Sequence, residues 1–210
     1  MSQAELFDLP DIRREGLAVL RGLALGAAAE VLAAVDSVSR DAPFRHMQVP
    51  GGGTMSVAMT SCGAAGWVTD AQGYRYAPLD PLSGKPWPDI PDILQDMAVR
   101  AAQTAGFDGF LPDSCLINRY EVGAKMGLHQ DRNEADSAAP VVSVSLGLPC
   151  VFQFGGLKRS DPVERILLRH GDVAVWGGPL RKAYHGVLAL KAGSHEIGAK
   201  RINLTFRKAS

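Results

Sequence analysis

The segment Leu128-His129-Gln130-Asp131 sets an imidazole and a carboxylate two residues apart in a chain with only five histidines. On an extended strand such residues leave the same side of the backbone, so His129 and Asp131 can converge on one metal ion while Gln130 faces away. The spacing by itself is weak, since five histidines should give about half of one His-x-Asp or His-x-Glu by accident, and the chain holds a second, His170-Gly171-Asp172. Context separates the two. The second lies between the apolar runs "RILL" and "VAVW", where a glycine-containing junction suits a tight hairpin. The first precedes a polar loop. Two histidines and one carboxylate on one face of a metal hold a redox-active non-haem iron with positions left open. His185, opening the run "YHGVLAL", is the best third ligand, because His46 falls in a Gly- and Pro-rich stretch and His195 in a Gly/Ser-flanked loop. A core histidine is the competing reading for His185.

A second constellation is "RINLTFR". At strand period, Arg201, Asn203, Thr205 and Arg207 share one face and Ile202, Leu204 and Phe206 the other. If the arginine face is inward, two desolvated cations require an anion, and a dianion fits. If it is outward, this is an edge strand with solvated arginines. Asn118 and Tyr120 in "INRY" share a strand face and could hydrogen-bond the same anion.

The elements that must carry these residues are legible in outline. A chain of 210 residues, 46% hydrophobic and 21% charged, can bury one full core and reads as a single domain over 1–210. Its formal net charge of zero gives no global pull toward nucleic acid or membrane, so a nucleic-acid partner would need a local basic rim. Cys62, Cys115 and Cys150 are odd in number and lack a C-x-x-C, which favours reduced, buried thiols. The amino terminus is acidic and polar where a signal peptide would be basic and then apolar, and Arg21 and Glu30 interrupt the apolar run after it. A soluble cytoplasmic monomer without membrane attachment is therefore expected. Helices are expected over Ala27–Ser39 and Pro91–Ala105, the latter stopped by Gly106. Beyond them come short β-rich runs punctuated by Gly, Pro and Asp, which suggest antiparallel sheets closing as a sandwich or jelly roll. The stretch 43–88, rich in Gly, Pro, Met and aromatics, reads as a lid over the barrel mouth, and about 112–208 as the core.

Together "LINRY", "LHQD", "YHG" and "RINLTFR", with "PGGGTMSVAMTSCGAAGW", "GYRYAPLDP", "KPWP", "SVSLGLP", "FQFGGLKRSDP" and "HGDVAVWGG", resemble the AlkB-like dioxygenases, and the likeness spans most of the chain. That family is iron(II)- and 2-oxoglutarate-dependent, uses O2, and demethylates alkylated bases. The resemblance implies a mainly β fold with flanking helices (α+β), a double-stranded β-helix under a nucleotide-recognition lid. It implies that His129, Asp131 and His185 hold iron(II), that Arg201 pairs with the distal carboxylate of 2-oxoglutarate and Arg207 with the one nearest the metal, and that Asn118, Tyr120 and Asn203 add polar contacts. It also places Trp67 against one face of a flipped base and His129 against the other, with Tyr74, Arg75, Tyr76, Asn133 and Arg159 as further substrate contacts. The bland reading of the aromatics is lid core, and of Arg159, Lys158 and Lys125 surface solubility. The implied activity is oxidative demethylation of 1-methyladenine and 3-methylcytosine in DNA, single-stranded in preference to double-stranded, with RNA as a second substrate. An iron/2-oxoglutarate hydroxylase of a protein or small molecule is the alternative, and a non-catalytic barrel or zinc hydrolase would leave Arg201 and Arg207 without a purpose. Three positions depart from the best-known bacterial pattern: Asn133 stands for an aspartate, with Glu134 beside it as the candidate to supply the missing negative charge, Gly53 for a tyrosine and Val49 for a threonine.

Overall fold

The β-rich second half forms strands that pair antiparallel throughout, in two facing sheets. The computed structural model describes residues 10–134 and 136–210. The polar amino terminus read against a signal peptide begins in 1–9, outside the described residues. The major sheet has the order β1 (Ile12–Arg14), β2 (Leu17–Leu20), β12 (Val173–Trp176), β9 (Val141–Gly147), β14 (Lys200–Arg207), β7 (Ser114–Glu121), β4 (Thr54–Gly63), β3 (Arg45–Gln48). The minor sheet is β11 (Glu164–Leu168), β10 (Cys150–Phe154), β13 (His185–Val187), β8 (Met126–His129), and β5 (Gly66–Asp70) pairs with β6 (Gly73–Ala77) as a separate hairpin. None of the described helices is long and apolar enough to cross a membrane.

Helices α1 (Ala28–Asp41) and α2 (Asp92–Thr104) form a third layer behind the major sheet. Their buried residues recur at helical spacing: Ala28, Val31, Val35 and Val38 in one, Leu94, Met97, Ala98, Ala101 and Ala102 in the other. Pro91 occupies the N-cap of α2, and Gly106 at φ +86° ends it in the left-handed conformation that glycine adopts without penalty. Both expected helices are present to within two residues at each end.

β14, paired on both sides by β7 and β9, is buried on both faces. Ile202, Leu204 and Phe206 pack with the helices. Arg201, Asn203, Thr205 and Arg207 point between the sheets, which settles the inward reading of that face. The three cysteines are free and buried, as expected.

Two expectations on elements change. His170-Gly171-Asp172 is a turn but not a hairpin: β11 pairs with β10 in the minor sheet and β12 with β2 and β9 in the major one, so the turn carries the chain across the sandwich. Asp172 fastens it, accepting from Arg21 Nη1 at 2.7 Å and from the backbone N–H groups of Gly22 and Arg169 at 3.0 and 2.9 Å. Within 43–88, β3 and β4 extend the major sheet, with Val57 and Met59 in the core between the sheets, and the β5–β6 hairpin forms a sheet of its own. The run "TMSVAMT", strand-like in the sequence, is the first part of the ten-residue β4, which continues through Ser61, Cys62 and Gly63.

Candidate functional site

β8 and β13 are neighbours in the minor sheet, and their register places His129 directly opposite His185. The two rings lie 4.3 Å apart between centres. Asp131 follows β8 by two residues, and its Oδ1 is 3.9 Å from His129 Nε2 and 3.8 Å from His185 Nε2. These three side chains could hold a metal ion. Each imidazole Nδ1 faces a backbone carbonyl, that of Gly127 at 2.9 Å for His129 and that of Ala183 at 3.0 Å for His185. A carbonyl only accepts, so Nδ1 carries the hydrogen and Nε2 presents its lone pair toward Asp131. Asp131 Oδ2 is engaged separately by Arg207 Nε at 2.8 Å, which leaves Oδ1 for the metal.

Electrostatics keep the three groups in ligating form. Burial, and then the His129 ring, pull His185 down to about 3, so it is neutral near pH 7. Burial pushes the Asp131 carboxyl up, but Arg207 and the two imidazoles outweigh it and hold it well below the usual carboxylate range. Burial likewise opposes the charge on Arg207, and Asp131 overcomes it.

A polar chamber lies along the same face of β14. Arg201 is 1% exposed, donates from Nη2 to Ser145 Oγ at 2.9 Å, and stacks 4.9 Å from the centre of the Tyr120 ring. Its Nε and Nη1 are buried without a hydrogen-bond partner among the described residues. Two idle donors on a buried cation are costly unless an anion completes them, so the chamber fits a carboxylate. Asn203 instead donates to Ser143 Oγ and to the Val144 carbonyl at 2.8 and 2.9 Å, and accepts from Asn118 Nδ2 at 3.3 Å. Asn203 therefore braces the strands, while Asn118 Oδ1 stays without a partner among the described residues.

Trp67 of β5 and Tyr74 of β6 stack with 5.7 Å between centres and 27° between planes. Trp67 also pairs across the hairpin with Tyr76, so the three aromatics share a face. Arg75 is on the opposite face and is bound to Asp70 through two hydrogen bonds of 2.9 and 2.7 Å, so the structure does not bring it to the aromatic platform. Two bonds tie the hairpin to the loop after Asp131: Asn133 Nδ2 to the Tyr74 carbonyl at 3.3 Å and Tyr76 OH to Glu134 Oε1 at 2.8 Å. The side chain of Glu134 is 3% exposed and also faces Arg181 and Arg207. It is thus committed and cannot act as the free negative charge that Asn133 lacks. Arg159 lies at the rim, donating to the Leu128 carbonyl at 2.9 Å with its guanidinium 5.8 Å from the Tyr184 ring centre. Arg181, with a side chain 3% exposed, was not legible as a site residue. It sits in a 3-10 turn and loop with no strand or helix period to reveal its direction.

His170, His195 and Glu196 form another cluster with metal-ligand composition. Here the proton is placed the other way. Gly147 N–H donates to His170 Nδ1 at 2.9 Å and Ile197 N–H to His195 Nδ1 at 3.3 Å, so each Nε2 bears the hydrogen and offers no lone pair. A cavity of about 1150 Å³ adjoins this cluster, but it contains none of His129, Asp131 and His185.

The chain matches the 2OG-Fe(II) oxygenase superfamily over residues 16–207. It is 55% identical to the alpha-ketoglutarate-dependent dioxygenase AlkB of Escherichia coli (strain K12) over 195 residues, 92% of this chain and 90% of that protein. It is 57% identical to the protein of the same name from Salmonella typhimurium over 196 residues, 93% and 91% of the two chains. The structure of OsALKBH1 superposes with a TM-score of 0.82 at 26% identity, covering 95% of this chain and 100% of that one.

Proposed function

The chain belongs to the 2OG-Fe(II) oxygenase superfamily and, within it, to the AlkB dioxygenases, and on that premise we propose that it removes N-methyl groups from 1-methyladenine and 3-methylcytosine in DNA. Iron(II) with 2-oxoglutarate and O2 supplies the oxidising power to hydroxylate the methyl carbon, 2-oxoglutarate leaves as succinate and CO2, and the hydroxymethyl amine breaks down to formaldehyde and the repaired base.

The chain's residues divide the work of binding and orientation. His129, Asp131 and His185 hold the metal through two Nε2 atoms and Oδ1, with Arg207 fixing the carboxylate. Arg201 takes the distal carboxylate of 2-oxoglutarate on its two idle N–H groups, beside Tyr120 and Asn118. Trp67 and Tyr74 form the platform for a flipped or single-stranded base, each base–aromatic contact being worth about 1–3 kcal/mol. Tyr76, Asn133 and Arg159 border it. Single strands are preferred because no pairing has to be broken, and RNA is a second substrate because stacking on an aromatic platform accepts single strands of either kind. The enzyme acts as a monomer in the cytoplasm, the compartment being supported by three buried cysteines without a disulfide.

The observation that carries the reading is the pair of Nδ1–H groups held by the Gly127 and Ala183 carbonyls, which aim both Nε2 lone pairs at Asp131. The test is formaldehyde release from a methylated single-stranded oligonucleotide. Release should require both iron(II) and 2-oxoglutarate. Consumption of 2-oxoglutarate on a protein or small molecule, with no release from any methylated base, would favour the hydroxylase alternative.

A further inference from the structure

One apolar surface of the sandwich lies outside its core. In β10 and β11 alternate residues turn inward: Cys150, Phe152, Ile166 and Leu168 join the core between the sheets, which sends Val151 and Leu167 outward as directly opposed partners. Leu167 is 39% exposed. Beside them runs the segment 188–195, which has neither helix nor strand. Its start is pinned by the Leu188 N–H on the Val151 carbonyl at 3.1 Å and the Leu190 N–H on the Ala124 carbonyl at 2.9 Å, while residues 191–194 are exposed. The cavity of about 1150 Å³ lies here, walled by Leu148, Val151, Leu167 and Leu188. The charged lining is mostly cationic: Arg21, Arg169 and Lys191 stand against Asp172, whose carboxylate is 2.7 Å from Arg21 Nη1. His170 and His195 add two donors. Their rings lie 4.5 Å apart between centres at 34°, and each Nδ1 accepts a backbone N–H, so each neutral ring carries its hydrogen on Nε2. Glu196 brings a carboxylate within 4.8 Å of a nitrogen of each ring, but it is exposed, and an exposed acid makes a weak claim on them.

We propose that this cavity is a second ligand site, separate from the metal and Arg201, that takes a free medium-chain aliphatic carboxylate. Two neighbouring N–H donors match the two oxygens of a carboxylate, and Lys191 adds charge without a rigid geometry. The chain of the ligand lies on Leu148, Val151, Leu167 and Leu188, which removes apolar surface of both partners from water. No Phe, Tyr or Trp is among the described lining residues, so the wall offers a planar ring nothing to stack on and suits a flexible aliphatic chain. The same proton placement that denies a metal the two Nε2 lone pairs equips this cluster for an anion.

Calorimetric titration with decanoate tests this on the full chain loaded with manganese(II) and saturating 2-oxoglutarate, so that the carboxylate sites of the metal chamber are already filled. One equivalent of decanoate should bind. Octanoate, shorter by two methylenes, should bind about tenfold more weakly, and 1-decanol, with the same chain and no charge, about tenfold more weakly or worse. Leu167→Glu sets a negative charge on the exposed wall and should weaken decanoate by about tenfold or more, while 2-oxoglutarate binding is retained as the sign of an intact fold. His195→Phe keeps a ring against His170 but loses one donor, and should weaken decanoate by about tenfold with little effect on 1-decanol. No binding of decanoate, equal affinity for decanoate and 1-decanol, or decanoate affinity unchanged in both variants would each overturn the proposal. Sedimentation showing a dimer that Leu167→Glu dissolves would give this surface to a second copy of the chain and overturn it as well.

Discussion

The location of one hydrogen on each ring distinguishes the two histidine pairs. His129 and His185 face carbonyls through Nδ1 and so present bare Nε2 atoms, whereas His170 and His195 receive backbone N–H groups on Nδ1 and present Nε2–H. Manganese(II) should therefore bind with a single equivalent per chain that His195→Ala retains and His129→Ala loses, as calorimetry would record; a second equivalent lost in His195→Ala would refute the proton assignment. Arg201 is placed to matter through KM. Removing a charge-assisted hydrogen-bonding group weakens binding by about tenfold or more, so Arg201→Gln should raise the KM for 2-oxoglutarate by that factor with a smaller change in kcat. Arg201→Lys should restore little of it, because one ammonium cannot reach Ser145 Oγ, stack on Tyr120 and present two further donors. At the base platform, Asn133→Asp adds a negative charge where Glu134 has none to spare. Competition between 3-methylcytosine and a neutral methylated base should shift toward the cationic one, and an unchanged ratio would take residue 133 out of base discrimination.

Elements decide which of these side chains meet, and here legibility in the sequence was uneven. The period of two in "RINLTFR" separated Arg201, Asn203, Thr205 and Arg207 from the apolar face, but direction depended on β14 being central in its sheet, a long-range fact that no local pattern holds. His185 could be selected as the partner of His129, yet their opposition across β13 and β8 arises from pairing between segments more than fifty residues apart. The turn at His170-Gly171-Asp172 looked like a hairpin because local turn chemistry is the same whether the chain returns to its own sheet or crosses to the other one. Its anchoring by Asp172 gives a prediction at this scale. Asp172→Ala would remove the carboxylate paired with Arg21, which keeps only the Leu167 carbonyl, and the acceptor of the Gly22 and Arg169 backbone N–H groups; breaking such a buried pair costs about 3–5 kcal/mol. Urea unfolding should show a loss of that order. Arg181 and Glu134 were invisible as a pair, since each sits in irregular chain where spacing carries no direction.

The described residues form a sandwich with α1 and α2 on one side, and that asymmetry explains its use. The face of the major sheet turned to α1 and α2 is apolar and closed, while the space between the sheets carries arginines, asparagines and the histidine pair toward the hairpin end. Strands β1, β2, β3 and β4 all come from the first third of the chain and complete the major sheet on both edges, so the core is not confined to about 112–208. A buried site built from both sheets should couple ligand to stability. Metal at about a hundred times its dissociation constant adds about 2.7 kcal/mol, and 2-oxoglutarate at the same excess over its own adds a like amount, so each ligand raises Tm by about 5–10 °C at this chain length. Removal of the metal with a chelator should reverse the rise. The central claim, that this chain's oxidation is spent on an N-methyl group of a nucleobase, is tested most directly by measuring succinate and formaldehyde together from a single-stranded oligonucleotide carrying 3-methylcytosine. The account predicts equal amounts of the two, both abolished in Asp131→Ala. Succinate formed with no formaldehyde would contradict it.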